Sequence, residues 1–263
     1  MQAYRGFESH PLRHFSTRFK SWRDVMRNGG CSCDSAAKIV VERDGPAVAQ
    51  DLFSERPMDK TDIKKTHKAL YGAPVGEFTI VEVPALGYFM IDGAGDPNTA
   101  PEYKAAVEAL YAASYTLKFM SKDALKRDYV VPPLEGLWWA ENMADFTARR
   151  KDRWSWTMMI VVPDFIERSM AERAIAKAIE KKGLPALSNL RFERLDEERA
   201  VQTLHIGSYD HEGPILKRLH EEFLPANGLT EAGHHHEIYL GDPRKTPAEK
   251  LRTILRQPVR TAV

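Results

Sequence analysis

From Glu77 onward the apolar and polar positions of the chain fall into short, separable runs. Phe78-Thr79-Ile80-Val81-Glu82-Val83 alternates with the period of two that a half-buried strand requires, and Gly87-Tyr88-Phe89-Met90-Ile91-Asp92 forms a second run beyond Pro84. Asp96-Pro97-Asn98-Thr99 supplies turn and cap chemistry. Tyr103, Val107, Leu110, Tyr111 and the stretch from Ser114 to Leu117 then recur at helical spacing, which predicts a helix over about 101–120. Two further strands are expected over 134–140 and 154–162, and a charged helix over about 165–182. Beyond it the order repeats: a strand over 201–208, a turn through Gly213-Pro214, a helix over about 215–223, and closing strands over 236–240 and 253–259. The pattern predicts an α+β fold of two tandem strand-helix-strand-strand units, about 77–163 and 190–263. Paired about a pseudo-twofold axis, they enclose a central ligand groove.

Residues 1–57 carry no sustained periodicity apart from Ile39-Val40-Val41, and are read as a disordered or non-native N-terminal extension ahead of a domain spanning 58–263. Glu8, Asp24, Asp34, Glu42 and Asp44 argue against a transit peptide, a class poor in acidic residues. Across the 263 residues, 43% apolar and 29% charged positions are ordinary for a globular protein. With 38 basic against 37 acidic residues, the charge gives no global footprint for nucleic acid or a membrane surface. Without an apolar run of membrane-spanning length or a signal sequence, the expected location is the cytoplasm. Cys31 and Cys33 are too few and too close for a disulfide scaffold or a zinc site, and are read as structural or incidental.

The candidate chemistry is aromatic and acidic. Tyr111, Tyr115, Trp138, Trp139, Trp154, Trp156, Tyr209 and Tyr239 could fill a core or line a pocket for flat or cationic ligands. Strand alternation sends Trp138 and Trp139 to opposite faces, so one of the two is available to a pocket. Trp154, Trp156 and Met158 share a face that Met159 does not. On the same logic Glu237 shares a face with Tyr239; from spacing alone a lone strand glutamate is most simply solvated, while one removed from water can serve as counter-ion or base. His234-His235-His236 cannot converge on one metal ion from consecutive strand positions, and is read as a loop and strand edge. No metal is expected. Glu135, in Pro-Pro-Leu-Glu-Gly, is read either as approaching the groove or as a turn-exposed acid. Gly93-Ala94-Gly95 lacks the dinucleotide fingerprint because Asp96-Pro97 intervenes. The charged residues of 165–182 are read as the solvated face of a linker helix.

The run Glu237-Ile238-Tyr239-Leu240-Gly241-Asp242-Pro243, followed by Thr246-Pro247-Ala248-Glu249-Lys250-Leu251-Arg252-Thr253 and Gln257-Pro258-Val259, resembles the C-terminal signature of the GyrI-like small-molecule-binding family. The likeness extends upstream through Met90 to Asn98, Tyr111, Tyr115, Pro132 to Trp139 and Lys151 to Ile160, covering about 58–263, and matches the family's stand-alone branch. The resemblance implies a pocket for amphipathic, aromatic or cationic small molecules, with Tyr111, Tyr115, Trp138 and Tyr239 holding the ligand. It also implies, for the stand-alone branch, hydrolysis of cyclopropane-bearing alkylators as detoxification, with Glu237 activating water and no cofactor. The alternative is a non-catalytic multidrug-binding or sequestering protein. Small molecules are the expected partners, with no nucleic acid and no membrane; a protein partner is not identified.

Overall fold

The computed structural model describes residues 60–142 and 150–262. The readings made for residues 1–57, Cys31 and Cys33 among them, lie outside the described residues. β1 (Lys60–Thr61) leads into two short helical turns, α1 (Ile63–Thr66) and α2 (Lys68–Tyr71). β2 (Thr79–Val83), β3 (Leu86–Ala94), α3 (Pro101–Ala124), β4 (Asp128–Tyr129), β5 (Leu134–Ala140) and β6 (Trp154–Val162) follow. After α4 (Arg168–Lys182) come β7 (Arg191–Leu195), β8 (Glu198–Ile206), α5 (Gly213–Arg218), a π-helical turn (Leu219–Phe223) and α6 (Leu224–Ala226). β9 (Leu229–Glu231), β10 (His235–Tyr239) and β11 (Arg252–Thr261) close the chain.

The protein is α+β, and its repeat is legible in the sheet order β2-β8-β11-β10-β5-β6-β3-β7, antiparallel throughout, with β9 added beside the end of β11. The first unit supplies β5-β6-β3 and the second β10-β11-β8, so equivalent strands meet at the central β5–β10 pair, on the pseudo-twofold axis. The strand that leads each unit is exchanged: β2 pairs with β8 of the second unit, and β7 with β3 of the first. This exchange dictates curvature. In a flat sheet β2 and β3 would lie six spacings apart, roughly 29 Å. Only Pro84 and Ala85 join them, a reach of about 11 Å. Asp196 and Glu197 impose the same limit between β7 and β8. The sheet therefore curls until its edges approach.

The curl gives the sheet an inner and an outer face. Inside, Tyr88, Met90, Met159, Val161, Leu204, Ile238 and Ile254 pack with Ile63, Leu70 and Tyr71 from the leading turns. Outside, α3 covers the first unit, with Phe89, Ile91, Trp156, Met158 and Ile160 beneath it. As alternation requires, Trp154, Trp156 and Met158 belong to the outer cluster and Met159 to the inner. α3 starts with Pro101 at its first turn and buries Ala106, Ala109, Leu110, Ala113 and Leu117, an i, i+3, i+4 stripe. α4 corrects the linker reading. Its charged residues face solvent, but Met170, Ala171, Ala174, Ile175 and Ala178 are buried in the core it shares with α3. Alanines on both helices allow close approach. Among the described residues, no helix is long and apolar enough to cross a membrane.

Candidate functional site

Where the two units meet, a cleft of about 1770 Å³ opens over the outer face of the central strands. One wall is α3, through Tyr103, Val107, Tyr111 and Tyr115; the other is the segment carrying Tyr209, Glu212, Leu216 and His220. The floor is β5 and β10. Successive β10 side chains alternate, sending His235, Glu237 and Tyr239 into the cleft and His236 and Ile238 to the inner face.

Three floor residues form a directed hydrogen-bond chain. Trp138 Nε1 donates to Tyr239 Oη at 2.9 Å, and Tyr239 Oη donates to Glu237 Oε2 at 2.8 Å. The Glu237 side chain is only 12% exposed, so its charge is largely withdrawn from water. Burial, then the charge of Glu237, holds the Tyr239 phenol well above its ordinary range. The same two causes push Tyr209 up to about 12. Both remain O–H donors at neutral pH. Glu237 lies opposite Gly136 on β5, where a Cβ would stand 2.9 Å from Trp138 Nε1 and 3.0 Å from Met158 Sδ. The missing side chain is what lets the Trp138 indole lie over the strand.

Aromatic contacts continue outward. Tyr103 packs on Trp138 at 6.1 Å and edge-on to Trp156 at 5.4 Å; Trp154 meets Trp138 at 5.9 Å and Tyr209 meets Tyr239 at 5.7 Å. Tyr111 and Tyr115 pair at 6.4 Å higher on α3, with Tyr115 49% exposed at the mouth. Thus Trp138, Glu237 and Tyr239 are joined directly, whereas Tyr111 and Tyr115 form the upper wall. Trp154 and Tyr209, from the aromatic set named in the sequence, also line the cleft, as do Tyr103, Glu212 and His235, which were not singled out there as site residues. For Tyr103 the signal was present, because it precedes Val107 and Tyr111 at steps of four on one helical face. Trp139 also reaches the rim, stacking on His234 at 4.3 Å, so both tryptophans of the pair border the cleft.

Two readings are overturned. His235 and His236 do not sit at a strand edge: β10 is paired on both sides, and their exposures are 6% and 0%. The three histidines go to separate surroundings. His234 stacks at the rim, His235 faces Glu237 with Nε2 3.7 Å from Oε1, and His236 lies inside. Burial, then the charges of His220 and His236, pushes His235 down to about 3 and keeps it neutral. Among the described residues no group of three or more His, Cys, Asp or Glu side chains is arranged to hold a metal. Glu135 neither approaches the groove nor lies in an exposed turn. It belongs to β5, points inward and is completely buried, accepting from Tyr71 Oη at 2.8 Å.

The chain belongs to the GyrI-like family: the GyrI-like small molecule binding domain matches residues 76–260. The fold and the cleft thus define a GyrI-like small-molecule-binding protein. Among solved structures, an uncharacterized conserved protein from Listeria innocua is 38% identical, with a TM-score of 0.70 over 76% of this chain and all of that one. A protein from the same organism described as a hydrolase is 38% identical, with a TM-score of 0.68 over 77% of this chain and all of its own. No curated protein matches significantly.

Proposed function

We propose that the cleft binds planar, aromatic or cationic small molecules, and that Glu237 activates water to hydrolyse electrophilic, cyclopropane-bearing ligands, a detoxifying reaction. The observation that carries this reading is a carboxylate at 12% exposure, oriented by a tyrosine hydroxyl on the floor of an aromatic cleft. The hydrolase description of a 38% identical relative supports turnover. In the reaction, a water oxygen bonds to the ring methylene as the strained carbon–carbon bond breaks. The released electron pair moves into the conjugated carbonyl, and the water's proton passes to Glu237. Tyr209, whose phenol holds its proton up to about 12, supplies a hydrogen bond to the oxygen that gains charge. Tyr103, Tyr111 and Trp138 hold the planar part of the ligand by stacking.

Glu237→Gln tests the assignment, because it keeps shape and hydrogen bonding while removing charge and basicity. Turnover of a cyclopropane-bearing alkylator, followed by mass analysis, is expected to fall by roughly a hundredfold or more, with affinity for neutral aromatic ligands nearly unchanged. Selective loss of cation affinity with no turnover in the parent identifies a sequestering protein instead. A variant that matches the parent in both measurements removes Glu237 from the site.

A further inference from the structure

His236 occupies the reverse side of the strand that carries Glu237. It is completely buried, and both ring nitrogens meet carboxylates: Nε2 lies 3.0 Å from Glu135 Oε2, and Nδ1 lies 3.0 Å from Glu197 Oε1. Carboxylates accept and do not donate, so this geometry calls for protons on both nitrogens, an imidazolium. The surrounding groups complete the balance. Tyr71 of α2 donates to Glu135, Tyr88 of β3 also faces it, and Arg256 of β11 donates to Glu197 Oε2 at 3.3 Å. Arg256 further binds the Leu70 carbonyl at 2.8 Å and Gln202 of β8 at 3.0 Å. Two cations and two carboxylates thus fill a space that apolar side chains could fill at less desolvation cost. Burial alone would lower the proton affinity of His236; the charge of Glu197 and the hydrogen bonds of both carboxylates outweigh it and push the ring up to about 9.

What a buried ion pair offers beyond stability is registry. Glu135 lies on β5 and Glu197 in the β7–β8 turn, so a ring bridging them fixes β10 both along and across the sheet. We propose that the His236 imidazolium, clamped between Glu135 and Glu197, is a positioning residue that holds β10 so that the Trp138–Tyr239–Glu237 hydrogen-bond chain forms under the cleft. It does not touch the ligand. The catalytic consequence rests on the reading of Glu237 as the acting base; the coupling between the two faces of β10 does not.

Nuclear magnetic resonance of the ligand-free full chain tests it through the Trp138 indole N–H, assigned with Trp138→Phe. The expected result is that this signal and the His236 ring nitrogens shift together as pH is raised, with a common midpoint near 9. In His236→Gln the indole proton is expected to exchange with solvent at least about tenfold faster. Ile254→Val, which thins the same inner face opposite Ile238, is expected to leave that exchange unchanged. An indole signal that stays fixed while the His236 ring titrates overturns the proposal, even if His236→Gln fails to fold. Undiminished turnover in Glu237→Gln overturns the catalytic reading alone, so the two failures are distinguishable.

Discussion

Gly136 is required by what crosses it. It pairs with Glu237, and the Trp138 indole and the Met158 side chain occupy the volume a Cβ would take. Gly136→Ala is therefore expected to displace the indole, the less confined of the two, because Met158 is completely buried. Trp138 then loses its bond to Tyr239, and Tyr239 its fixed aim at Glu237. Overpacking of this kind costs about 1–3 kcal/mol, so the variant should fold with a lowered midpoint and bind flat aromatic ligands more weakly. Urea unfolding and ligand titration of the same preparation check both; parental affinity would show that the indole's position does not matter to binding. For Trp139 the structure changes the expectation that one tryptophan of the pair reaches a pocket, since both border the cleft. Its ring stacks on His234 at the rim, so Trp139→Ala should alter binding as well as stability.

At the scale of the element, β10 places neighbouring histidines in opposite environments, and the pH dependence of stability follows. His236 holds its proton to about 9 in the folded state, against 6.5 ordinarily. Its contribution is complete below pH 6.5 and is lost as pH rises through 9. His235, pushed down to about 3, refuses a proton that the unfolded chain accepts, so stability also falls as pH drops from 6.5 toward 3. Glu197 adds to the acid limb. Held at about 2 against 4.5 by His236 and Arg256 despite its burial, it contributes fully above 4.5 and loses that contribution as pH falls through 2. Urea unfolding should show a maximum near pH 6.5, with the acid limb shallower in His235→Asn. A curve flat from pH 7 to pH 9 would contradict the raised proton affinity. The sequence showed β10 as a strand and put Glu237 and Tyr239 on one face, because both conclusions need only a period of two. It could not show that β10 is central. That depends on partners β5 and β11, so the histidines were read as an edge and Glu135 as groove or turn. Glu197 was invisible for the same reason: nothing local marks a two-residue turn as the place where a carboxylate enters a core.

For the whole molecule, the repeat of strand, helix and two strands was legible because hydrophobic period and turn chemistry are local. The exchange of β2 and β7 between units was not, since it is settled only when the sheet curls. That curl makes the leading turns part of the core rather than a preface to it. Ile63, Leu70, Tyr71 and Ala73 are all less than 9% exposed inside it. Arg256 and Gln202 spend donors on the Leu70 and Ala69 carbonyls, and Leu204 exchanges backbone hydrogen bonds with Pro74 and Gly76. The family match begins at residue 76, which would leave out all of this except the bond between Gly76 and Leu204. Removing the rest deletes the buried Ile63 and Leu70 side chains, whose burial is worth about 1.5–3 kcal/mol each. It also strips partners from a buried guanidinium and from Glu135, at about 1–3 kcal/mol per orphaned group or more for the charges. Together these rival the whole stability of an ordinary domain, about 5–15 kcal/mol. A chain of residues 76–263 is therefore expected to lack a cooperative thermal transition. A chain of residues 58–263, which keeps the turns, should melt within a few degrees of the full protein and bind ligand as well. Calorimetry on the two truncations decides it: cooperative melting of the shorter chain near the parental temperature would show that the leading turns are dispensable and that the inner charges find other partners.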